Sequence, residues 1–248
     1  MFNVSIVLFN HTVAEIEALV EHLRQSELTN ELYLIDNSPY NNPDFSKLPA
    51  TYIFNNGNNI GYGAAHNIAI RRTIEQNIPY HLVINPDISF QTDILSEIVD
   101  FMDKNTEIGH LMPKVFYPNG QIQYLCKLLP SPFDLIFRRF LPSGWTRKRR
   151  NFFEMRWSGY DKIMDVPYLS GCFMFLRTEA LKEVGIFDER FFMYPEDIDL
   201  TRRMHRKFRT VFYPVVSIVH HHAQRSYIDI KMLGIHIVNM IRYFNKWG

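Results

Sequence analysis

Three acids stand out by where they fall in the chain. Asp87 closes the triplet Asn85-Pro86-Asp87 after an apolar run ending at Ile84, where a buried strand emerges into a loop. Glu196 and Asp197 lie far downstream, opening a helix in Tyr194-Pro195-Glu196-Asp197-Ile198-Asp199-Leu200. One acid at a strand end and an acid pair at a helix start, all in apolar surroundings, point to a carboxylate-lined cleft. Such a cleft could hold a metal-bound diphosphate on one side and a general base on the other. Capping explains the same residues, because acids complement the free N–H groups of turns and helix starts. At this level both readings stand.

A hard cation such as Mg²⁺ needs few protein ligands when substrate phosphates supply the rest. Asp87 is therefore the natural metal candidate. Asn85 could add a neutral oxygen or a water-mediated contact, and Pro86 fixes the turn between them. The triplet His220-His221-His222 follows another apolar run. Strand alternation sends His220 and His222 to one face and His221 to the other. Consecutive histidines cannot all ligate one ion, and no HExxH motif accompanies them, so a zinc hydrolase is excluded. One ligand or diphosphate contact, from His220 or His222, remains. Asp36 ends a short apolar strand, where it could accept from a base or ribose, or simply close an Asx turn. Asn55 to Gly63 holds four asparagines and three glycines ahead of a helix. It could cradle an anion on backbone N–H groups, but it has neither dinucleotide-fingerprint nor P-loop spacing. An ordinary asparagine-rich turn fits it too.

These residues need a scaffold, and the chain predicts one. Up to about residue 110, strand signals (Val4–Phe9, Leu32–Ile35, Tyr52–Phe54, His81–Ile84) alternate with helical stretches near 13–24 and 64–76. That rhythm predicts an α/β fold with a mostly parallel sheet and helices on both faces. Ligands in such sheets bind beyond the carboxyl ends of the strands, where Asp36, the asparagine loop and Asp87 all lie. Further on, short strands are expected at Leu111–Tyr117, Ile122–Leu125, Val166–Leu169, Cys172–Leu176, Thr210–Tyr213 and Val215–Val219. Helices are expected near 197–207 and 228–244. The 248 residues are 46% hydrophobic, enough for a sizeable core, and no Pro/Gly/Ser linker divides them. One domain is expected, with a binding half over about 1–110 and a second half over 111–248 that ends in a helix.

With 27 basic and 26 acidic residues there is no global nucleic-acid footprint, and no nucleic-acid partner is expected. Two cysteines are too few for a disulfide scaffold and fit a reducing compartment. The opening run is too short to span a membrane and lacks a basic leader, so a cytoplasmic location is expected. Charge is concentrated in one place. Segment 133–157 carries seven basic residues against two acidic ones, interleaved with Phe133, Ile136, Phe137, Phe140, Leu141, Trp145, Phe152, Phe153 and Trp157. That mixture suits peripheral contact with an anionic membrane, or a groove for an isoprenoid-diphosphate acceptor. A solvated loop with its aromatics packed on the core is the alternative.

Taken in order, these pieces resemble family 2 glycosyltransferases of the GT-A fold, especially the rhamnosyltransferase-like members of bacterial surface-polysaccharide (O-antigen or capsule) pathways. The matching elements are Val4-Ser5-Ile6-Val7, Asp36-Asn37-Ser38, Asn59-Ile60-Gly61-Tyr62-Gly63-Ala64-Ala65-His66-Asn67 and Asn85-Pro86-Asp87. Leu169 to Met174, Gly185 to Tyr194, Glu196 to Leu200 and His220-His221-His222 complete the match. The resemblance implies a GT-A fold with a Rossmann-like nucleotide-binding half and an acceptor-binding half. It implies Ser5, Asp36, Asn55, Asn59, Gly61, Asn67, Asn85 and Asp87 as nucleotide-sugar contacts, and Asp87 with His220 or His222 around Mg²⁺ or Mn²⁺. Asp197 would be the base, and Glu196 would position it or bind the acceptor. Asn85 stands where many relatives carry the first acid of an Asp-x-Asp motif. The processive Gln-x-x-Arg-Trp signature is absent at Arg156-Trp157 and no apolar run is long enough to span a membrane, so a single-addition enzyme is expected; with Asp197 as the base, an inverting one.

The donor implied is a dTDP-sugar, dTDP-L-rhamnose first, with UDP- and GDP-sugars as alternatives. The acceptor implied is a lipid-linked saccharide at the inner face of the cytoplasmic membrane. A nucleotidyltransferase would want a Gly-rich basic loop where Phe9-Asn10-His11-Thr12 stands. A non-catalytic nucleotide-sugar-binding subunit is the rival from another class, disfavoured by Asp87, Glu196 and Asp197 occurring together.

Overall fold

The computed structural model describes residues 1–91, 93–135, 143–221 and 230–248. His222 and residues 136–142 of the basic-aromatic segment lie outside the described residues.

The chain opens with β1 (Phe2–Leu8), α1 (Val13–Gln25), β2 (Thr29–Asp36), β3 (Thr51–Phe54), α2 (Tyr62–Glu75) and β4 (Tyr80–Ile84). There follow β5 (Ile88–Ser89), α3 (Asp93–Lys104), β6 (Ile108–Phe116), β7 (Cys126–Lys127), α4 (Pro132–Leu135) and α5 (Ser143–Phe153). The remainder is β8 (Met164–Asp165), β9 (Tyr168–Leu169), β10 (Phe173–Arg177), α6 (Thr178–Val184), α7 (Glu196–His205), β11 (Arg209–His220) and α8 (Ile230–Trp247).

The main sheet has the order β3-β2-β1-β4-β10-β6-β11-β5, with β8 added beside β11. β1 pairs in parallel with both β2 and β4, β2 with β3, and β6 with β11. β10 is antiparallel to both β4 and β6. The six principal strands therefore run in one sense with β10 reversed among them, which is the mostly parallel sheet expected. Their carboxyl ends, at Leu8, Asp36, Phe54, Ile84, Phe116 and His220, line one edge together with the start of β10.

Period-two alternation decides what each face buries. Val4, Ile6, Leu34, Leu82, Ile84, Phe173 and Phe175 pack under Ile16, Leu19, Val20 and Leu23 of α1 and Ile94, Leu95, Ile98 and Met102 of α3. The intervening Val83, Met174 and Leu176 point the other way, onto Ile70 of α2, Leu181 of α6 and Leu200 and Met204 of α7.

Several boundaries differ from the sequence reading. The expected strand at 122–125 is a single bridge from Ile122 to Phe116, and regular pairing begins only at β7. Pro214 does not split two strands. β11 runs through it as one strand whose register against β6 jumps from Tyr213↔Pro113 to Ser217↔Lys114. Pro214 lacks the N–H a regular ladder needs, and the irregularity absorbs it. α3, α4, α5 and α6 fall outside the expected helices; α3 carries a clear apolar stripe of Ile94, Leu95, Ile98, Val99 and Met102.

Candidate active site

β4 leads directly into Asn85-Pro86-Asp87, and β5 then pairs antiparallel with the end of β11 through Ile88↔His220. The Asp87 carbonyl accepts from His221 N–H at 2.9 Å. This backbone zipper brings Asp87 Oδ1 to 3.3 Å from His220 Nε2. Burial works against a charged imidazole at His220, but the Asp87 carboxylate and the Cys172 thiol group outweigh it and raise the ring to about 10. Gln123 holds that ring in place. Its Oε1 lies 3.0 Å from His220 Nδ1, and its Nε2 donates to the His220 carbonyl at 2.8 Å. Nδ1 thus donates to Gln123, and Nε2 is the nitrogen presented to Asp87, protonated while it faces that carboxylate alone and able to bind a cation only after giving that proton up.

The second acid site is built from backbone. Asp197 lies in the first turn of α7, and its Oδ1 accepts from Ile198 N–H at 2.7 Å. Its Oδ2 accepts from Gly171 N–H at 2.8 Å, and the Tyr168 hydroxyl lies 3.5 Å from the same oxygen. Burial raises the Asp197 carboxyl to about 6, opposed by Lys127 and by the N–H donors of Gly171 and Ile198. Lys127 Nζ sits 4.9 Å from the Tyr168 ring centre. Glu196 is only 4% exposed, and its Oε2 has no hydrogen-bond partner among the described residues. Burial and the Asp197 charge push Glu196 well above the usual carboxylate range. Burial thus raises both acids of the pair, while the N–H groups of Gly171 and Ile198 favour the ionised form of Asp197 and fit it for the role of base.

Tyr62, in the first turn of α2, joins the two sites. Its hydroxyl lies 2.9 Å from Asn85 Oδ1 and 2.8 Å from the Gly171 carbonyl. The links run from the Asp87 turn through Tyr62 to Gly171, whose N–H holds Asp197. Burial and the neighbouring Cys172, Glu196, Asp197 and Asp87 keep the Tyr62 phenol neutral, and so able to donate. The helix start is fixed by Gly61, at φ +93°, where a Cβ would sit 2.4 Å from the Phe192 carbonyl oxygen. Only glycine fits that contact.

The structure sorts the residues expected from sequence. Asp87, Asn85, Glu196, Asp197 and His220 converge at one sheet edge. Asn55 and Asn59 lie there as well, both held by the buried Asn37. Asn55 Nδ2 donates to Asn37 Oδ1 at 2.6 Å, while Asn37 Nδ2 reaches Asn59 Oδ1 at 3.3 Å and the Gly61 carbonyl at 3.2 Å. Asp36 is fully buried. Its Oδ1 accepts from Ser38 N–H at 2.9 Å and its Oδ2 from the Tyr52 hydroxyl at 2.8 Å, the Asx-turn arrangement.

Two expected nucleotide contacts are corrected to internal braces. Ser5 is fully buried between His66 Nδ1 at 2.7 Å and His81 Nε2 at 2.8 Å. Asn67 is equally buried, with Nδ2 donating to the Phe187 carbonyl and Oδ1 accepting from Phe187 N–H. Neither side chain reaches the cleft. The sequence reading passed over Tyr62, Gln123, Gly171 and Tyr168 as site residues. Tyr62 and Gly171 stood inside the matched motifs; Gln123 and Tyr168 carried no local signal, since folding alone brings them to the site.

As a cation site, Asp87 and His220 offer a carboxylate oxygen and an imidazole nitrogen. Among the described residues no group of three or more His, Cys, Asp or Glu side chains is gathered around a common point. Two protein ligands with phosphate oxygens and water completing the shell suit Mg²⁺, and the imidazole also suits Mn²⁺. The residues present fit such an ion. Asn85 does not face it with a committed oxygen, because Tyr62 occupies its Oδ1.

No protein-family model matches the chain. Among solved structures, GalNAc-T7 with UDP, GalNAc and Mn²⁺ superposes with a TM-score of 0.63 at 15% identity, covering 88% of this chain and 42% of that one. The chain has the GT-A fold. By sequence this GT-A chain is 27% identical over 189 residues to the N-acetylglucosaminyl-diphospho-decaprenol L-rhamnosyltransferase of Mycobacterium tuberculosis, covering 73% of this chain. It is 28% identical over 194 residues to the rhamnosyltransferase WbbL of Escherichia coli K12, covering 75% of this chain and 70% of WbbL. It spans 62% of the length of the mycobacterial relative. Among the described residues no helix of the GT-A chain is long and apolar enough to cross a membrane.

Proposed function

We propose that this protein is an inverting, non-processive glycosyltransferase that moves L-rhamnose from dTDP-L-rhamnose to a lipid-linked saccharide in bacterial surface-polysaccharide synthesis. The observation that carries the reading is Asp197, a carboxylate held by two backbone N–H groups beside the buried Glu196, across Tyr62 from the Asp87–His220 pair. The rhamnosyltransferase relatives supply the sugar and the lipid-linked acceptor. All 248 residues serve as one glycosyltransferase domain, with a nucleotide-sugar half over about 1–110 and an acceptor half over 111–248.

In this mechanism Asp197 takes the proton of an acceptor hydroxyl as that oxygen attacks the anomeric carbon from the face opposite the nucleotide. Glu196 hydrogen-bonds the acceptor or the transferring sugar and orients it. Tyr62 keeps the Asp87 turn and the Gly171 turn in fixed relation. The start of α2 and the loop organised by Asn37 lie at the strand ends where the nucleoside diphosphate binds. Asp87 and His220 would hold a divalent cation, Mg²⁺ or Mn²⁺, whose charge stabilises the departing diphosphate. The enzyme works on the cytoplasmic side, with segment 133–157 in peripheral contact with the inner face of the membrane.

The test is nucleotide release and glycolipid formation with dTDP-L-rhamnose, set against UDP- and GDP-sugars. Thermal shifts with dTDP, UDP and GDP, each with and without Mn²⁺, read donor class independently of the acceptor. Selective stabilisation by dTDP with transfer of rhamnose supports the reading. Selective stabilisation by UDP or GDP overturns the donor assignment.

A further inference from the structure

The inner side of α5 is packed. Thr146 and Phe153 are buried at 5% and 4% exposure. Phe153 joins Tyr168, Phe191, Ile198 and Tyr243 in one cluster, and its carbonyl accepts from Leu128 N–H at 2.9 Å. Arg149 is also tied down, its Nε and one terminal nitrogen each 2.8 Å from a different oxygen of the buried Asp134.

The outer side is arranged differently. Trp145, Lys148 and Phe152 follow one another at i, i+3 and i+7, which places them on one helical face. Trp145 is 83% exposed and Phe152 61%, and Trp157, just beyond the helix, is 66% exposed. Arg147 and Lys148 lie exposed among them, and α5 contains no acidic residue. Large aromatics held outward by a helix whose other face is anchored are costly in water unless something covers them.

We propose that α5 is an interfacial helix that seats the protein on an anionic bilayer. Trp145 and Phe152 enter the headgroup–acyl boundary, Trp157 lies beside them, and Arg147 and Lys148 meet lipid phosphates. The occupant is an anionic leaflet, which attracts Arg147 and Lys148, on a helix that carries no acidic residue, and which takes exposed tryptophan and phenylalanine at its boundary. Amphipathic tryptophan and phenylalanine flanked by cations is the composition of helices that lie in the membrane plane. The position gives the contact a purpose, which rests on the lipid-linked acceptor proposed above. The same helix packs Phe153 against Tyr168, whose hydroxyl lies 3.5 Å from Asp197 Oδ2. A bilayer seated on α5 would hold a membrane-anchored acceptor at a fixed approach to the base.

The test is co-sedimentation with phosphatidylcholine vesicles, with and without phosphatidylglycerol, at physiological salt. The protein should pellet with the anionic vesicles and stay in solution with the neutral ones. W145S/F152S should weaken binding at least about tenfold, and R147S and K148S about fivefold each, the factor expected of one basic residue near an anionic surface. Brominated lipid should quench tryptophan emission of the unmodified protein, and W145F should lose most of that quenching. The quenching test stands even if the double variant fails to fold. Absence of wild-type pelleting with anionic vesicles, equal pelleting of wild type and W145S/F152S, or no quenching overturns the proposal. Vesicle binding without transfer to any lipid-linked acceptor would overturn the acceptor reading and leave this surface standing. Wild-type transfer by W145S/F152S to a vesicle-embedded acceptor would do the reverse.

Discussion

Gly171 donates its N–H to Asp197 Oδ2 at 2.8 Å, and a Cβ on that glycine would lie 3.1 Å from the Asp197 Cβ. The carboxylate is thus held by a backbone group that approaches closely because it carries no side chain. Gly171→Ala should force the acid to shift by a few tenths of an ångström. The expected result is a fall in kcat of about tenfold, with donor Kd little changed. Steady-state kinetics alongside donor titration checks it, and an unchanged kcat would mean that the turn gives way instead.

The Asp197 carboxyl near 6 sets a pH dependence. The base must be ionised, so kcat/KM should rise with pH through about 6 and level off above it. Stability should move the other way. The folded value lies above the unfolded one of 3.8, so the stabilising contribution is complete below about pH 4 and is lost as pH rises through about 6. Asp197→Asn removes that penalty. It should be more stable than wild type at neutral pH by up to about 3 kcal/mol, with the difference vanishing near pH 4. Thermal melts across pH read it, and equal melting temperatures at neutral pH would contradict the burial argument.

Gln123 should matter for the cation without touching it. Gln123→Leu frees the His220 ring and removes the partner of Nδ1, so Mn²⁺ affinity should fall about 10- to 100-fold, as for other outer-shell partners of metal ligands. Binding followed by Mn²⁺ spin resonance in the presence of nucleoside diphosphate gives a readout apart from turnover. Asp87→Ala should abolish Mn²⁺ binding. Wild-type affinity in Gln123→Leu would remove Gln123 from the account.

Ser5→Ala tests the corrected role of that serine. It leaves two buried histidine nitrogens without their shared partner, which costs about 1–3 kcal/mol. Nucleotide Kd should stay within about twofold, the change expected of a residue remote from the ligand. A large loss of nucleotide binding with unchanged stability would return Ser5 to the cleft.

Much of this was legible before the fold was seen. Apolar runs of alternating strand and helix period predicted the sheet, and strands that share one sense put Asp36, Asn55, Asp87 and His220 at the same edge. Glu196 and Asp197 were visible because acids at the start of an otherwise apolar motif are conspicuous. What stayed hidden depends on long-range closure. Ser5 and Asn67 occur in matched motifs, yet only packing reveals that the histidines and the Phe187 backbone take up their polar atoms. Gln123 gains its role because the turn after β6 folds under the end of β11. In α5 the sequence supplied the basic-aromatic mixture, but only the helix separates buried Phe153 from exposed Trp145 and Phe152.

The central claim is that Asp197 is the base of an inverting sugar transfer, and one comparison tests it most directly. Wild type and Asp197→Asn are incubated with dTDP-L-rhamnose and a lipid-linked saccharide, and product formation and anomeric configuration are read together with donor affinity. The substitution preserves size and removes the proton acceptor, so turnover should fall by about two orders of magnitude or more while donor binding persists. Wild-type product should carry the inverted anomeric configuration. Near-normal turnover in Asp197→Asn, or retained configuration in the wild-type product, would contradict the account.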